Sequence, residues 1–223
     1  VNNLNDFEYY DQQAKRYFQN SDYKSARQAF EQALSVARAS GINNTLQFAQ
    51  LLNNLGFTCQ SQGDLNEALE FFQQAISLHR QISSSPNPDL ATALHNLGRT
   101  LMMQKNNREA WGYLCEELDI WKQIINGPQH IPELASCLIA LGDIMADRGE
   151  YENARTNFEQ AAQFRETVLG ASHPDTADAY AILGQLCAKQ GDAKAARAYL
   201  NKALPIITPI LGPDHYFVKR QNE

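Results

Sequence analysis

The chain has 223 residues, 43% hydrophobic and 20% charged, a balance that excludes intrinsic disorder, a collagen-like repeat and a disulfide-dense scaffold. Nineteen Lys and Arg against 25 Asp and Glu give a net charge of −6, the wrong sign for general attraction to nucleic acid or an anionic membrane. No apolar run approaches the roughly 20 residues that span a bilayer, and the polar, acidic N-terminal stretch lacks the form of a signal peptide. A soluble, cytoplasmic protein is the expectation, with no nucleic acid and no membrane among its partners. A chain that starts at Val1 rather than Met also fits a processed protein or an excised domain.

In chain order the elements repeat. The first unit, residues 7–42, carries Ala14, Ala26, Phe30 and Ala33, and the second, 43–86, carries Gly56, Ala68, Phe72 and Ala75 at the same register. The third, 87–130, has Gly98, Ala110, Leu114 and Glu117; the fourth, 131–172, has Gly142, Ala154, Phe158 and Ala161. The fifth, 173–210, has Gly184, Ala196, Leu200 and Ala203, and residues 211–223 form a tail or begin a further unit. Ala26, Ala68, Ala110, Ala154 and Ala196 stand 42, 42, 44 and 42 residues apart, a period that marks a repeat architecture.

Within a unit the spacing is helical. Leu52, Leu55, Gly56 and Cys59 fall at i, i+3, i+4 and i+7, and Ala68, Phe72, Ala75 and Ile76 do the same one helix later. Gly63, Gly149 and Gly191 predict the turn between the two helices, Asn106 being the nearest substitute in the third unit. Asp64 with Glu67 reads as a capping box, and Pro88, Pro132 and Pro174 start first helices where the missing amide proton does no harm. The two extra residues of the 44-residue step belong in the linker 126–131, because inside a helix they would turn its apolar face by about 200°. Small residues at the middle of each first helix let the paired backbone approach while Phe72 or Phe158 fills the space beside it. A lone pair cannot bury this surface; stacking does, and the predicted fold is all-α, a right-handed superhelical solenoid of five helix-turn-helix repeats forming one domain, 1–223.

The columns Leu52, Leu55-Gly56, Ala68, Phe72 and Ala75 resemble the tetratricopeptide repeat, over roughly residues 8–210. The 42-residue step and the connector Leu169-Gly170-Ala171-Ser172-His173-Pro174-Asp175-Thr176-Ala177 look like the kinesin light chain type, and Leu211-Gly212-Pro213-Asp214-His215 begins another such connector. The resemblance implies a groove lined by first helices that takes a peptide or helix of another protein. Carried over by position, the groove stripe runs through Asp11, Gln12, Lys15 and Phe18, then Gln50, Asn53, Asn54, Phe57 and Gln60, then Thr92, His95, Asn96, Arg99, Met102 and Met103. It continues through Ser136, Ile139, Asp143 and Asp147 to Asp178, Ala181, Ile182, Gln185 and Lys189. The candidate partner-binding residues are Gln50, Asn53, Asn54, Phe57, His95, Asn96, Arg99, Met102 and Met103. An asparagine amide gives and accepts a hydrogen bond at once, so it pairs with a peptide unit whatever its side chain. Asn53-Asn54 and His95-Asn96 match the family's Asn-containing motif, Phe57 and the two methionines add adaptable apolar surface, and Arg99 suits a carboxylate. Asparagine in a helix costs about half a kcal/mol, although solvated asparagines and methionines packed on the adjoining repeat are the plainer alternative.

The other residues give weaker signals. Cys59, Cys115, Cys137 and Cys187 lack metal spacing and read as free thiols; no cofactor, no metal and no catalytic constellation are expected, so the chain reads as non-enzymatic. Arg38, Arg80 and Lys122 read as cations at helix C-termini, and Trp111, Tyr113 and Trp121 as residues packed between helices or, alternatively, as an outer-surface contact. Glu117 stands where the other units have alanine, so the second helix of the third unit either packs loosely or carries something of its own. Pro205 and Pro209 predict a kink or stop near Leu204, leaving Ile206, Ile207, Ile210 and Leu211 as an apolar edge. Residues 206–218 folding over it, a further repeat, or self-association with a second chain would cover that edge. The expected function is an adaptor or scaffold that holds a partner's peptide or helical segment in the groove. The alternative is a sensory or regulatory repeat domain of a larger signalling protein, switching conformation on binding.

Overall fold

The computed structural model describes residues 3–83, 85, 87–124 and 130–212, and among these it contains ten α-helices and no strand. They are α1 (Asn3–Gln19), α2 (Tyr23–Ala39), α3 (Leu46–Gln62), α4 (Leu65–Ile82), α5 (Pro88–Met103), α6 (Asn107–Ile124), α7 (Ile131–Asp147), α8 (Tyr151–Leu169), α9 (Pro174–Lys189) and α10 (Ala193–Leu211). The chain divides into two compact units, Val1–Ile124 and Ile125–Glu223. In the first, α1 packs on α2, α3 on α4 and α5 on α6, and α2 and α4 each pack on the next first helix; in the second, α7 pairs with α8, α9 with α10, and α8 packs on α9. Each unit is thus a stack of helix-turn-helix pairs. The unit boundary falls at the segment to which the 44-residue step assigns its two extra residues, and residues 125–129 lie outside the described part.

The repeating small residues set the spacing within a pair. A Cβ built on Gly56 would lie 2.7 Å from Phe72 Cε1, and one on Gly98 2.8 Å from Leu114 Cγ; Gly142 and Gly184 meet Phe158 and Leu200 in the same way. Ala26, Ala68, Ala110 and Ala154 are fully buried and Ala196 nearly so, so the second helix offers only a methyl where the backbones cross. Phe30, Phe72 and Phe158 fill the flanking space without exposure.

The helix starts follow the sequence in part. Asn87 caps α5 by accepting the Leu90 N–H at 2.8 Å, and prolines open α5, α7 and α9 at their first turns. Gly63, Gly149 and Gly191 adopt positive φ at the inter-helix turn, but in the third pair the residue at that register is Lys105, φ 64°, with Ser21, φ 59°, in the first. The expected Asn106 stands one position later, where its side chain accepts the Glu109 N–H at 3.4 Å and so caps α6. The Asp64 side chain makes no cap bond either. Arg27 on α2 draws both carboxylates away, to Asp64 at 2.7 Å and Glu67 at 2.6 Å, and this tie between successive pairs outcompetes a local capping box.

At the end of the described chain, α10 does not stop at Leu204 but runs through Pro205 and Pro209 to Leu211. The two prolines, one turn apart, both face solvent, so the backbone carbonyls they leave unpaired lie where water reaches them, while Leu200 and Ala203 are buried on the opposite face. Ile206 and Ile207 are half-buried and Ile210 is 59% exposed. The cover expected from residues 206–218 is therefore helical as far as Leu211, and 213–218 lie outside the described residues.

Candidate protein-binding face

First helices follow one another in each unit, and side chains tie them edge to edge. Between α1 and α3, the rings of Phe18 and Phe57 meet edge-to-face with centroids 5.4 Å apart. Between α3 and α5, Gln50 Nε2 donates to Asp89 Oδ2 at 3.1 Å, Asn96 Nδ2 to Asn53 Oδ1 at 3.1 Å and Gln60 Nε2 to Thr100 Oγ1 at 2.8 Å. The stripe residues of these helices therefore form one continuous face. Gln50, Phe57 and Arg99 are exposed on it, Met103 is 54% exposed, and Asn53, Asn54, His95, Asn96 and Met102 are half-buried. The Asn53–Asn96 bond consumes one acceptor and one donor hydrogen; the Asn53 amide hydrogens and the Asn96 carbonyl keep their own capacity.

His95 has a partner that the sequence did not announce. Its Nδ1 lies 3.1 Å from Oε2 of Glu117 on α6, and the other carboxylate oxygen accepts the Trp121 indole N–H at 3.0 Å. Glu117 is 1% exposed and Trp121 equally buried, so the second helix of the third pair is neither loose nor idle: it carries a hydrogen-bonded buried carboxylate that reaches the first-helix face through His95. Trp121 belongs to a register that follows the buried alanine column by one turn, as do His79 and Arg165. Periodicity alone marks that register as inward-facing, which was the available signal for all three.

In the second unit Arg165, buried on α8, fills the corresponding place. It donates to the Asp175 carbonyl at 2.7 Å and to Ser136 Oγ at 3.3 Å, and reaches Asp178 Oδ2 at 3.4 Å. Ser136 and Asp178 are stripe residues of α7 and α9, so their polar atoms are engaged from behind. Ile139 and Ala181 are buried, whereas Asp147, Asp178, Gln185 and Lys189 of that stripe are exposed. On the opposite side of the first unit, Arg80 bridges to Glu116 with both oxygens within 2.8 Å, so it ties α4 to α6 in addition to sitting at a helix C-terminus.

His79, between α4 and its neighbours, is buried with Nδ1 unpartnered. Burial holds its imidazole below the usual histidine range, against an opposing pull from Asp89. The folded chain keeps the ring neutral, whereas the unfolded chain takes up a proton as pH falls through about 6.5. The unfolded state then binds more protons, so stability is complete above that pH and declines below it. His79→Leu is expected to gain about 1 kcal/mol near pH 5.5 and to narrow the gap between urea midpoints at about pH 7.5 and 5.5. An unchanged gap would assign the acid sensitivity to other groups.

Cys59, Cys137 and Cys187 are buried and Cys115 is half-buried, and none of the four forms a disulfide. Burial pushes the Cys59 thiol up to about 11 and raises that of Cys187, so both are protonated and poorly nucleophilic at neutral pH. Among the described residues no group of three or more His, Cys, Asp or Glu side chains is placed to hold a metal ion, and no helix is long and apolar enough to cross a membrane.

Comparison with known proteins agrees with this architecture. Models of the tetratricopeptide repeat match residues 7–40, 47–123 and 133–208. No curated protein sequence matches the chain. Among solved structures, a candidate kinesin light chain of Podosopora anserina, built of nearly identical TPR-like repeats, superposes with a TM-score of 0.74 at 19% identity, over 91% of this chain and 95% of that one. A Rap protein complexed with Competence and Sporulation Factor gives 0.77 at 14% identity, over 99% of this chain and 58% of that one. YrrB, described as a TPR protein with an unusual peptide-binding site, gives 0.58 at 17% identity, over 96% of this chain and 90% of that one. The fold is shared with kinesin light chain-like repeats.

Proposed function

The chain belongs to the tetratricopeptide repeat family, and from that premise we propose that it is a protein-interaction module whose first-helix face in the unit Val1–Ile124 takes a peptide or helical segment of a partner. The observation that carries the reading is the Asn53–Asn96 bridge between α3 and α5, flanked by exposed Phe57 and Met103. Polar groups able to meet a peptide backbone thus sit among apolar side chains able to cover its residues, the mixture that peptide grooves use. The face carries both Asp89 and Arg99, so shape and hydrogen bonding, rather than a single sign of charge, set the selection of ligand. Four cysteines in no disulfide fit a reducing compartment, which supports a cytoplasmic setting.

The test is binding of partners captured by the wild-type chain to the triple variant Asn53→Ala, Asn96→Ala, Arg99→Ala. Affinity is expected to fall at least tenfold, about 1.4 kcal/mol or more. Partners held equally by both proteins would move the binding surface elsewhere.

A second reading rests on the Rap likeness, in which the matched protein is complexed with Competence and Sporulation Factor: a regulatory repeat domain that changes shape on binding. Small-angle scattering with and without the captured partner's binding segment separates the two, since an adaptor keeps its dimensions and a switch does not. The exposed Ile210 of α10 further supports self-association as a proposal.

A further inference from the structure

Glu117 breaks a column that is otherwise alanine, at Ala33, Ala75, Ala161 and Ala203, every one fully buried. A carboxylate at such a place is costly unless its oxygens are bonded, and here each oxygen has one partner, Trp121 on its own helix and His95 across the pair. The two partners differ in what they allow. The indole N–H only donates and an ionised carboxylate only accepts, so with Glu117 ionised the proton on the His95 edge of the site sits on Nδ1. The neutral imidazole then has no proton on Nε2. Among the described residues that nitrogen has no hydrogen-bond partner, and it belongs to a side chain 24% exposed beside Asn96 and the Asn53 bridge.

We propose that Glu117 is a positioning residue that locks His95 in the Nδ1–H tautomer and so presents Nε2 to the first-helix face as a fixed hydrogen-bond acceptor. The position then reads a donor on the bound segment, the main-chain N–H that every peptide carries. This rests on the first-helix face being the binding surface. With the Asn96 carbonyl beside it, α5 offers two neighbouring acceptors, while the Asn53 amide on α3 offers donors. A peptide backbone laid along this face would turn N–H groups toward α5 and a carbonyl toward α3.

The test reads the tautomer on the ligand-free full chain at mildly alkaline pH, by long-range proton–nitrogen correlation of the histidine rings, with His95 assigned through His95→Gln. In the wild type Nδ1 is expected to resonate as a protonated, pyrrole-type nitrogen and Nε2 as a bare, pyridine-type one. In Glu117→Gln the amide oxygen still accepts from Trp121 while its NH2 donates to Nδ1, so the two signals are expected to exchange character. A wild-type ring carrying its proton on Nε2, or averaging between the two forms, would overturn the proposal, as would a Glu117→Gln ring unchanged from wild type. If Glu117→Gln did not fold, the wild-type spectrum alone would decide. No partner enters this measurement, so its failure is separate from failure of the binding reading, which the asparagine and Arg99 variants test.

Discussion

Phe158→Ala is expected to lower the stability of the second unit by about 3–5 kcal/mol, and Gly142→Ala, harmful alone, is expected to help once the ring is gone. Phe158 is buried against Gly142 so closely that a Cβ there would lie 2.8 Å from Cδ1 of the ring. Truncating the ring removes its burial and leaves a void between α7 and α8. Adding a methyl opposite the intact ring forces the helices apart, at about 1–3 kcal/mol, against which alanine's better helix propensity returns about 1 kcal/mol. In the truncated background the same methyl fills part of the void and keeps the propensity gain, so its effect changes sign. Ala14, fully buried at this register in α1, shows that a helix pair can be built around a methyl when its spacing is set for one. Urea unfolding of the two single variants and the double variant measures the coupling. Additive effects would mean that the ring and the glycine do not meet as described.

The second large effect concerns Glu117. Glu117→Ala restores the residue found at this register in the other four repeats, yet it is expected to destabilise the first unit by about 2–4 kcal/mol. It deprives a buried indole N–H of the acceptor at 3.0 Å, leaves a cavity, and releases His95 from α6. Glu117→Gln keeps the volume and both hydrogen bonds while replacing the buried carboxyl with an uncharged amide, so it is expected to stay within about 1 kcal/mol of wild type. Thermal melts of the two variants side by side separate hydrogen bonding and volume from charge. Equal losses in both would make the charge itself the stabilising element, and no loss in the alanine variant would show that Trp121 and the cavity adjust at little cost.

Much of the fold was legible because it depends on local, repeated requirements. Close approach demands Gly or Ala where backbones cross, and a 42-residue recurrence of those residues leaves few architectures other than stacked helix pairs. The prolines at the starts of α5, α7 and α9 are equally local, since a first helical turn has no use for their missing N–H. The errors came where a local rule met a tertiary competitor. Asp64 and Glu67 had the spacing of a capping box, but Arg27, 40 residues before Glu67, took both carboxylates. Asn106 had the better propensity for a left-handed turn, but the register of α5 put Lys105 there. Pro205 and Pro209 had every local reason to end α10, but both face solvent while the opposite side of the helix is packed.

The candidate face divides in the same way. Its placement on the first helices came from the resemblance to the tetratricopeptide repeat, and helical periodicity supplied only which residues share one side of each helix. The pairing of Asn53 with Asn96, of Gln50 with Asp89 and of His95 with Glu117 came from neither, because each joins residues on different helices. By itself the chain determined that its helices pair and stack and which residues each first helix presents, since these depend on spacing along one strand of sequence. Only the tertiary structure decided which polar groups are spent on one another and which remain for a ligand, because a hydrogen bond is set by the distance between side chains that the sequence holds far apart.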